Sequence, residues 1–396
     1  MHTYSNITKA MNIGNPFWEE SYQSGLLDIS ADIADDGQWI NTNNHPFINM
    51  CSFSYLGLDV HPDIVTSAAN SVLKAGALNS AIARLRIHLS LLRDAEHALS
   101  NLFSAEAITA ASCSAASAAI LPLVASGVFT NNAPPVMIFD KMVHLSLSLI
   151  KPICADETTV LTSPHNDLNF IEDVCKQNKT VAYVADGVYS TGGCAPVKEL
   201  LELQNKYGLF LIFDEAHSIS AYGKKGRGYV LDIMGEINDR TIIVASLNKG
   251  FGASGGVILF KENKYMPILN RFGGPLAWSQ QINTAGLGAI IASSKIHQTD
   301  ELTILQNKLQ ENINYFDSLL PTENMGDGIA LRLIPIKDES KAVEYSKKIY
   351  DGGFYTSPLF FPVISRGKAG LRIMIRADIQ RADIKRFCDL ITQIVE

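Results

Sequence analysis

A lysine stands directly behind an apolar run in TIIVASLNKGFGASGGVILF (241–260), where Lys249 is trailed by Gly250, Gly252, Gly255 and Gly256. An ammonium so close to core residues is costly unless it stays exposed, pairs, or loses its charge. A Schiff base consumes the amine and removes the difficulty. The glycines would let backbone close around a bulky ligand. A solvent-facing lysine in a glycine-rich loop explains this motif equally well. A phosphate-binding P-loop is excluded, because the Gly-x-x-x-x-Gly-Lys-Ser/Thr order is absent.

A second concentration of chemistry lies in LFLIFDEAHSIS (209–220). Asp214 closes an apolar run, at the strand end where open parallel sheets bind ligands. Glu215 and His217 follow within three residues. A carboxylate at such depth needs a cationic or hydrogen-bonding partner. A protonated pyridine nitrogen meets that need; a helix N-cap, a supporting acid, or a metal or magnesium ligand are the other readings. In ASCSAASAA (111–119), small residues at a helix start leave amide N–H groups free to hold a phosphate, although tight helix packing explains them as well. His144, four residues past Asp140, presents a flat imidazole that can stack on an aromatic ring. His165, in SPHND, reads equally as a turn residue. Arg372 sits inside the apolar AGLRIMI, and a planar guanidinium there suits a carboxylate.

Elements must hold these groups. VMIFD (136–140), TVAYVAD (180–186), LFLIFDEAH (209–217), TIIVASLNK (241–249) and GGVILF (255–260) read as buried strands. Helical stretches separate them, over 114–127, from about Asn169, and over 196–208. Apolar strands alternating with helices predict an α/β fold with a mostly parallel sheet covered on both faces. Residues 1–47 read as an arm or a peripheral helix outside the core, and 48–58 as a strand running into a turn. Helices are expected over 61–76 and 93–103. The large domain is expected over 48–285. A smaller α+β domain follows over 286–396: a long helical stretch (287–320) that a kink could divide, strands at 331–336 and 369–375, and helices at 341–353 and 381–395.

Composition narrows the rest. The 396 residues carry a formal charge of -7, which gives no positive field for nucleic acid. Hydrophobic residues are 47% and charged residues 18%, against roughly 25% charged in ordinary domains, so a disordered chain is excluded. Six widely spaced cysteines without zinc-type spacing read as buried thiols in a reducing compartment, with no metal expected. No signal-like start and no apolar span of membrane length are evident, so the expected location is the cytoplasm.

Taken in order, SFSYLGLDVHP (52–62), PHND (164–167), DGVYSTGG (186–193), FDEAHS (213–218), GKKGRG (223–228), SLNKGFGASGG (246–256) and the late LRI resemble the α-oxoamine synthases. These pyridoxal-phosphate (PLP) enzymes of fold type I include 8-amino-7-oxononanoate synthase, 2-amino-3-ketobutyrate ligase, serine palmitoyltransferase and aminoketone autoinducer synthases. The resemblance implies that Lys249 carries PLP and moves protons at Cα, and that Asp214 pairs with the pyridine nitrogen. It implies that His144 stacks on the ring and His217 meets its phenolic oxygen. Cys113, Ser114 and Ala115, with Ser190, Ser246, Ser279 and Gln280, would serve the cofactor and its phosphate, and Arg372 the substrate carboxylate. The implied reaction condenses an amino acid with an acyl-CoA or carrier-protein thioester, with decarboxylation, in a homodimer. Lys141, Lys224, Lys225 and Arg227 are the candidate patch for an acidic carrier. Other PLP reactions on this fold, such as an aminotransferase or aldolase, and a non-catalytic partner subunit, are the alternatives. The chain departs from the family pattern at GALNSAIARLRIHL (76–89), where no arginine aligns cleanly. It departs again at Ser112–Ser117, which lacks the glycine and asparagine of Ser-Gly-x-x-Ala-Asn, at Ser220, where glycine is usual, and at GGPLAWSQQINTAG (273–286).

Overall fold

The computed structural model describes residues 6–34 and 39–395. Residues 1–5 and 35–38 of the expected arm, and Glu396, lie outside them. By packing, the chain divides into two compact units. Of the described residues, one unit takes 6–34, 39–55, 191–193 and 307–395, and the other takes 56–190 and 194–306. Whereas the sequence suggested a boundary near 285, the stretch as far as Gln306 packs with the larger unit.

The chain begins with a helix, Asn6–Gln23, and three short strands: β1 (Ala31–Ile33), β2 (Trp39–Asn41) and β3 (Pro46–Asn49). The larger unit follows with β4 (Glu106–Ala110), β5 (Val136–Asp140), β6 (Val160–Ser163), β7 (Val181–Asp186), β8 (Phe210–Asp214), β9 (Thr241–Ser246) and β10 (Gly256–Phe260). Among the described residues these form one sheet in the order β4-β10-β9-β8-β7-β5-β6. All neighbours are parallel except β10, which runs antiparallel to both β9 and β4. The reversal has a simple cause. Nine residues separate Ser246 from Gly256, too few for a parallel crossover of about a dozen or more.

The central strands are buried along their whole length, and apolar side chains from both faces enter two separate clusters. That is why their sequences read as unbroken apolar runs. Strands 209–217 and 241–249 end earlier than expected, at Asp214 and Ser246. Asp214 stops its own strand, since its Oδ1 accepts the Ala216 N–H at 2.8 Å, a turn that competes with the ladder. β4 and β6 were not anticipated. β4 precedes the helix Cys113–Ala125 in one apolar stretch, and β6 holds only four residues.

The stretch 287–320 is two helices, Thr284–Ile296 and Asp300–Leu319. In the smaller unit, β11 (Leu331–Pro335) precedes β12 (Phe354–Tyr355), β13 (Ser357–Leu359) and β14 (Gly370–Met374). β14 lies between β11 and β13, while β12 joins β1, β2 and β3 in a separate four-stranded sheet, order β1-β2-β3-β12, by parallel pairing with β3. The helix Arg381–Val395 follows. Among the described residues no helix is long and apolar enough to cross a membrane. All six cysteines are free thiols; Cys154, Cys175 and Cys388 are buried, and Cys51, Cys113 and Cys194 half-buried.

Candidate active site

Three adjacent parallel strands end in aspartate: β5 at Asp140, β7 at Asp186 and β8 at Asp214. Asp186 and Asp214 are register partners, so the two carboxylates stand side by side at the strands' carboxyl ends. Both are almost wholly buried. Burial, and next the Asp214 charge, push the Asp186 carboxyl well above its usual range, while Lys249 pulls it down. The same charges reach Cys113, whose thiol burial and Asp214 raise and Lys249 lowers. Cys113, Asp186, Asp214 and Lys249 therefore form one electrostatic cluster.

Lys249 owes its place to the tight β9–β10 connection. Within it, the Leu247 N–H donates to the Gly255 carbonyl at 2.9 Å, and the Gly252 N–H to the Lys249 carbonyl at 3.0 Å. Gly255 has φ 96°, and a Cβ there would lie 2.7 Å from the Ala110 carbonyl oxygen. A Cβ on Gly256 would lie 2.5 Å from the Cys113 nitrogen. These glycines thus admit the neighbouring backbone of β4 and of the helix Cys113–Ala125, where the sequence suggested room for a ligand. Lys249 Nζ lies 2.9 Å from His217 Nε2, and the imidazole is buried. The amine and the imidazole are thus within hydrogen-bond reach of each other.

The helix Cys113–Ala125 starts with Ser112 as its cap. Ser112 Oγ accepts the Ala115 N–H at 3.1 Å. The Ala115 amide is thereby committed, and the amides of Cys113 and Ser114 remain the ones at the helix mouth. Cys113 Sγ lies 3.7 and 3.8 Å from the two Asp214 oxygens, and Ser117 Oγ donates to the Cys113 carbonyl at 3.0 Å. The departures from the usual Ser-Gly-x-x-Ala-Asn pattern are thus absorbed in local hydrogen bonds.

His144 follows β5 and caps the short helix Leu145–Ser148. Its Nδ1 accepts the Ser146 N–H at 3.3 Å and lies 2.8 Å from Ser146 Oγ, which places the ring proton on Nε2. The turn before it is held by Asp140. Asp140 accepts the Met142 and Asn166 amides, each at 2.7 Å, and the Tyr183 hydroxyl at 3.0 Å, and its Oδ1 is 3.0 Å from His165 Nδ1. Burial pushes the Asp140 carboxyl up, but these donors outweigh it and hold it below the usual value. His165 is therefore part of the support for this turn.

Of the other expected residues, Ser246 is buried at the end of β9 and bonds Asn248. Ser190 is half-buried, four residues beyond β7. Ser279 and Gln280 are exposed after the short helix Pro275–Trp278. Arg372 belongs to the smaller unit, on β14, opposite Leu333 and Ser357. Its guanidinium carbon lies 5.4 Å from the Phe53 ring centroid, and Cys51 Sγ donates to its carbonyl at 3.2 Å. Arg84, in the divergent segment before the third long helix, is a buried anchor. Its guanidinium donates to Glu96 at 2.9 Å and to the Thr109 carbonyl at 2.8 Å. Ser220 adopts φ 71°, the conformation for which glycine is usual, and its Oγ lies 2.8 Å from Nε2 of buried His297. Asp140 and Asp186 escaped the sequence reading. Their signal was present, since VMIFD and TVAYVAD end in an acid just as LFLIFD does.

The aminotransferase class I and II model matches residues 45–391. The chain belongs to that family. Within it, it is a fold type I PLP-dependent enzyme of the α-oxoamine synthase group. It is 29% identical over 378 residues to the 8-amino-7-oxononanoate synthase of Petrotoga mobilis, covering 91% of this chain and 92% of that one. It is 28% identical over 377 residues to the Alkaliphilus metalliredigens protein of the same name, covering 90% and 89%. The fold matches a solved serine palmitoyltransferase from S. paucimobilis bearing PLP and myriocin, with TM-score 0.84, 20% identity and 97% of both chains covered. It also matches the 8-amino-7-oxononanoate synthase of Francisella tularensis, with TM-score 0.72, 20% identity, and 88% and 97% coverage. For an α-oxoamine synthase the donor set is chemically apt. An amine, a buried carboxylate and two amides at a helix mouth match the aldehyde, pyridine nitrogen and phosphate of PLP. Among the described residues no group of acids, histidines and cysteines could hold a metal ion.

Proposed function

We propose that this enzyme condenses an amino acid with an acyl thioester and, with loss of CO2, releases an α-aminoketone and a free thiol. The observation that carries the reading is the Lys249 amine, 2.9 Å from His217 and within the electrostatic reach of Cys113 and Asp186, the two groups that Asp214 also reaches. A lysine without a covalent task has no need of such a setting. This also weighs against a non-catalytic subunit.

Bound there, PLP would supply an electron sink for the carbanion at Cα of the amino acid. The protein's own residues do the rest. Lys249 holds the cofactor and then takes and returns the proton at Cα. Asp214 keeps the pyridine nitrogen protonated, which a buried carboxylate does well because low dielectric strengthens the pair. His217 orients Lys249 and meets the phenolic oxygen. His144, with its proton on Nε2, would stack on the cofactor ring and would offer that proton to the thioester carbonyl. The Cys113 and Ser114 amides, with Ser246, would hold the phosphate, and Ser190, Ser279 and Gln280 would complete the contacts, the last two from the second copy of a homodimer. Arg372 takes the substrate carboxylate through its planar fork. The acyl donor is a coenzyme A or carrier-protein thioester, and a homodimer is the working unit.

The decisive experiment incubates the purified protein and PLP with amino acids, alone and with acyl-CoA thioesters. Thiol release and CO2 must both depend on both substrates, and mass spectrometry must find the aminoketone. Formation of an oxo acid without thiol release would replace this reading with an aminotransferase.

A further inference from the structure

Asp186 has no role in the reaction as drawn, yet it is one of the most enclosed charges in the larger unit, 2% exposed. It ends β7 level with Asp214 on β8. Both of its carboxylate oxygens lie 3.2 Å from the main-chain nitrogen of His144. That N–H belongs to the residue that starts the helix Leu145–Ser148, so nothing within the helix can accept it. Asp140 pins the front of the same turn through Met142, and Ser146 holds the imidazole itself. The turn therefore has three restraints, and the middle one comes from a strand adjacent to the carboxylate that faces the cofactor.

We infer that Asp186 is the positioning residue of His144, its side-chain oxygens accepting the His144 main-chain N–H and so fixing where the imidazole stands beside the cofactor. This rests on the cofactor reading given above. Burial and then Asp214 raise the Asp186 pKa against the opposing pull of the His144 N–H and Lys249, and because the bond to His144 needs only an acceptor, an amide of the same shape can replace it. The chemistry required at this position is an acceptor and not a charge.

Asp186→Asn and Asp186→Leu separate the two. Leucine keeps the branched shape and removes the acceptor. Two readouts apply, one of which needs no cofactor. In the apo protein, deuterium exchange of a peptide spanning 140–146 should quicken at least about tenfold in Asp186→Leu and stay as in the wild type in Asp186→Asn. In the holoenzyme, Asp186→Leu should weaken the visible circular-dichroism band of the cofactor and lower kcat about 10- to 100-fold with little change in amino acid KM, while Asp186→Asn restores most of both. Should Asp186→Leu not fold, Asp186→Ser, whose shorter side chain withdraws the acceptor, takes its place. Equal loss in the Asn and Leu variants would overturn the inference, because charge would then be the requirement. Wild-type exchange and dichroism in Asp186→Leu would overturn it too. If the wild type binds no PLP, the proposed function falls instead, while the exchange contrast still decides the hydrogen bond.

Discussion

In the proposed reaction Lys249 acts only as an amine, so charge alone should not replace it. Lys249→Arg keeps a cation near His217 yet should lower turnover by at least about 10³-fold and abolish borohydride-trapped cofactor. Retained trapping in that variant would move the covalent role elsewhere. Arg372 is assigned to the substrate carboxylate, so Arg372→Ala should raise KM for the amino acid about tenfold or more and leave KM for the thioester nearly unchanged. Equal effects on both would remove the assignment. At this scale a rare residue type breaking an apolar run led to Lys249 and Asp214, which the fold gathers with Cys113 and Asp186. The sequence was least legible where an acid closing a strand read only as the edge of a run or of a motif. Asp140 and Asp186 have the same local signature as Asp214, and only register and hydrogen bonds distinguish their tasks.

At the scale of elements, the loop after β8 is tied to the helix Thr284–Ile296 through Ser220 and His297. His297 follows that helix as its cap, donating or accepting at Ser293 and Ser220, with its ring 4.6 Å from Phe251. Burial lowers the His297 pKa from 6.5 to about 4. Folding therefore favours the neutral ring, and the contribution is complete above pH 6.5 and lost as pH falls toward 4. The loss should reach about 3 kcal/mol. His297→Gln cannot titrate, so the stability difference between wild type and variant in urea should narrow between pH 7.5 and pH 4.5, roughly the window set by those pKa values. A constant difference would place the histidine's proton uptake elsewhere. No periodicity could have announced this pair, because Ser220 and His297 lie 77 positions apart. The long buried strands, by contrast, were readable because both of their faces are apolar. β4 was not, since its five residues merge with the apolar helix after it.

For the whole molecule, the sequence conveyed the alternating sheet of the larger unit and, in the smaller one, β11, β14 and the helices Glu339–Asp351 and Arg381–Val395, but not β1, β2, β12 and β13, which are only two or three residues long. Phe272 and Trp278 are 69% and 71% exposed, a costly display for an isolated chain. The proposed homodimer would cover them. Phe272→Asp with Trp278→Asp should convert a species of twice the chain mass, measured by light scattering, into one of single mass. An unchanged dimer would locate the interface on another face. The pairing of Ile48 in β3 with Phe354 in β12 has a consequence for how the protein is made. Translation delivers β3 roughly three hundred residues before its mate, so the opening segment must wait while the seven-stranded sheet is completed. A ribosome-stalled nascent chain ending soon after Gln306 should already resist proteolysis over 56–306 and remain cleavable before it, with protection of the beginning arriving only when the last helix leaves the exit tunnel.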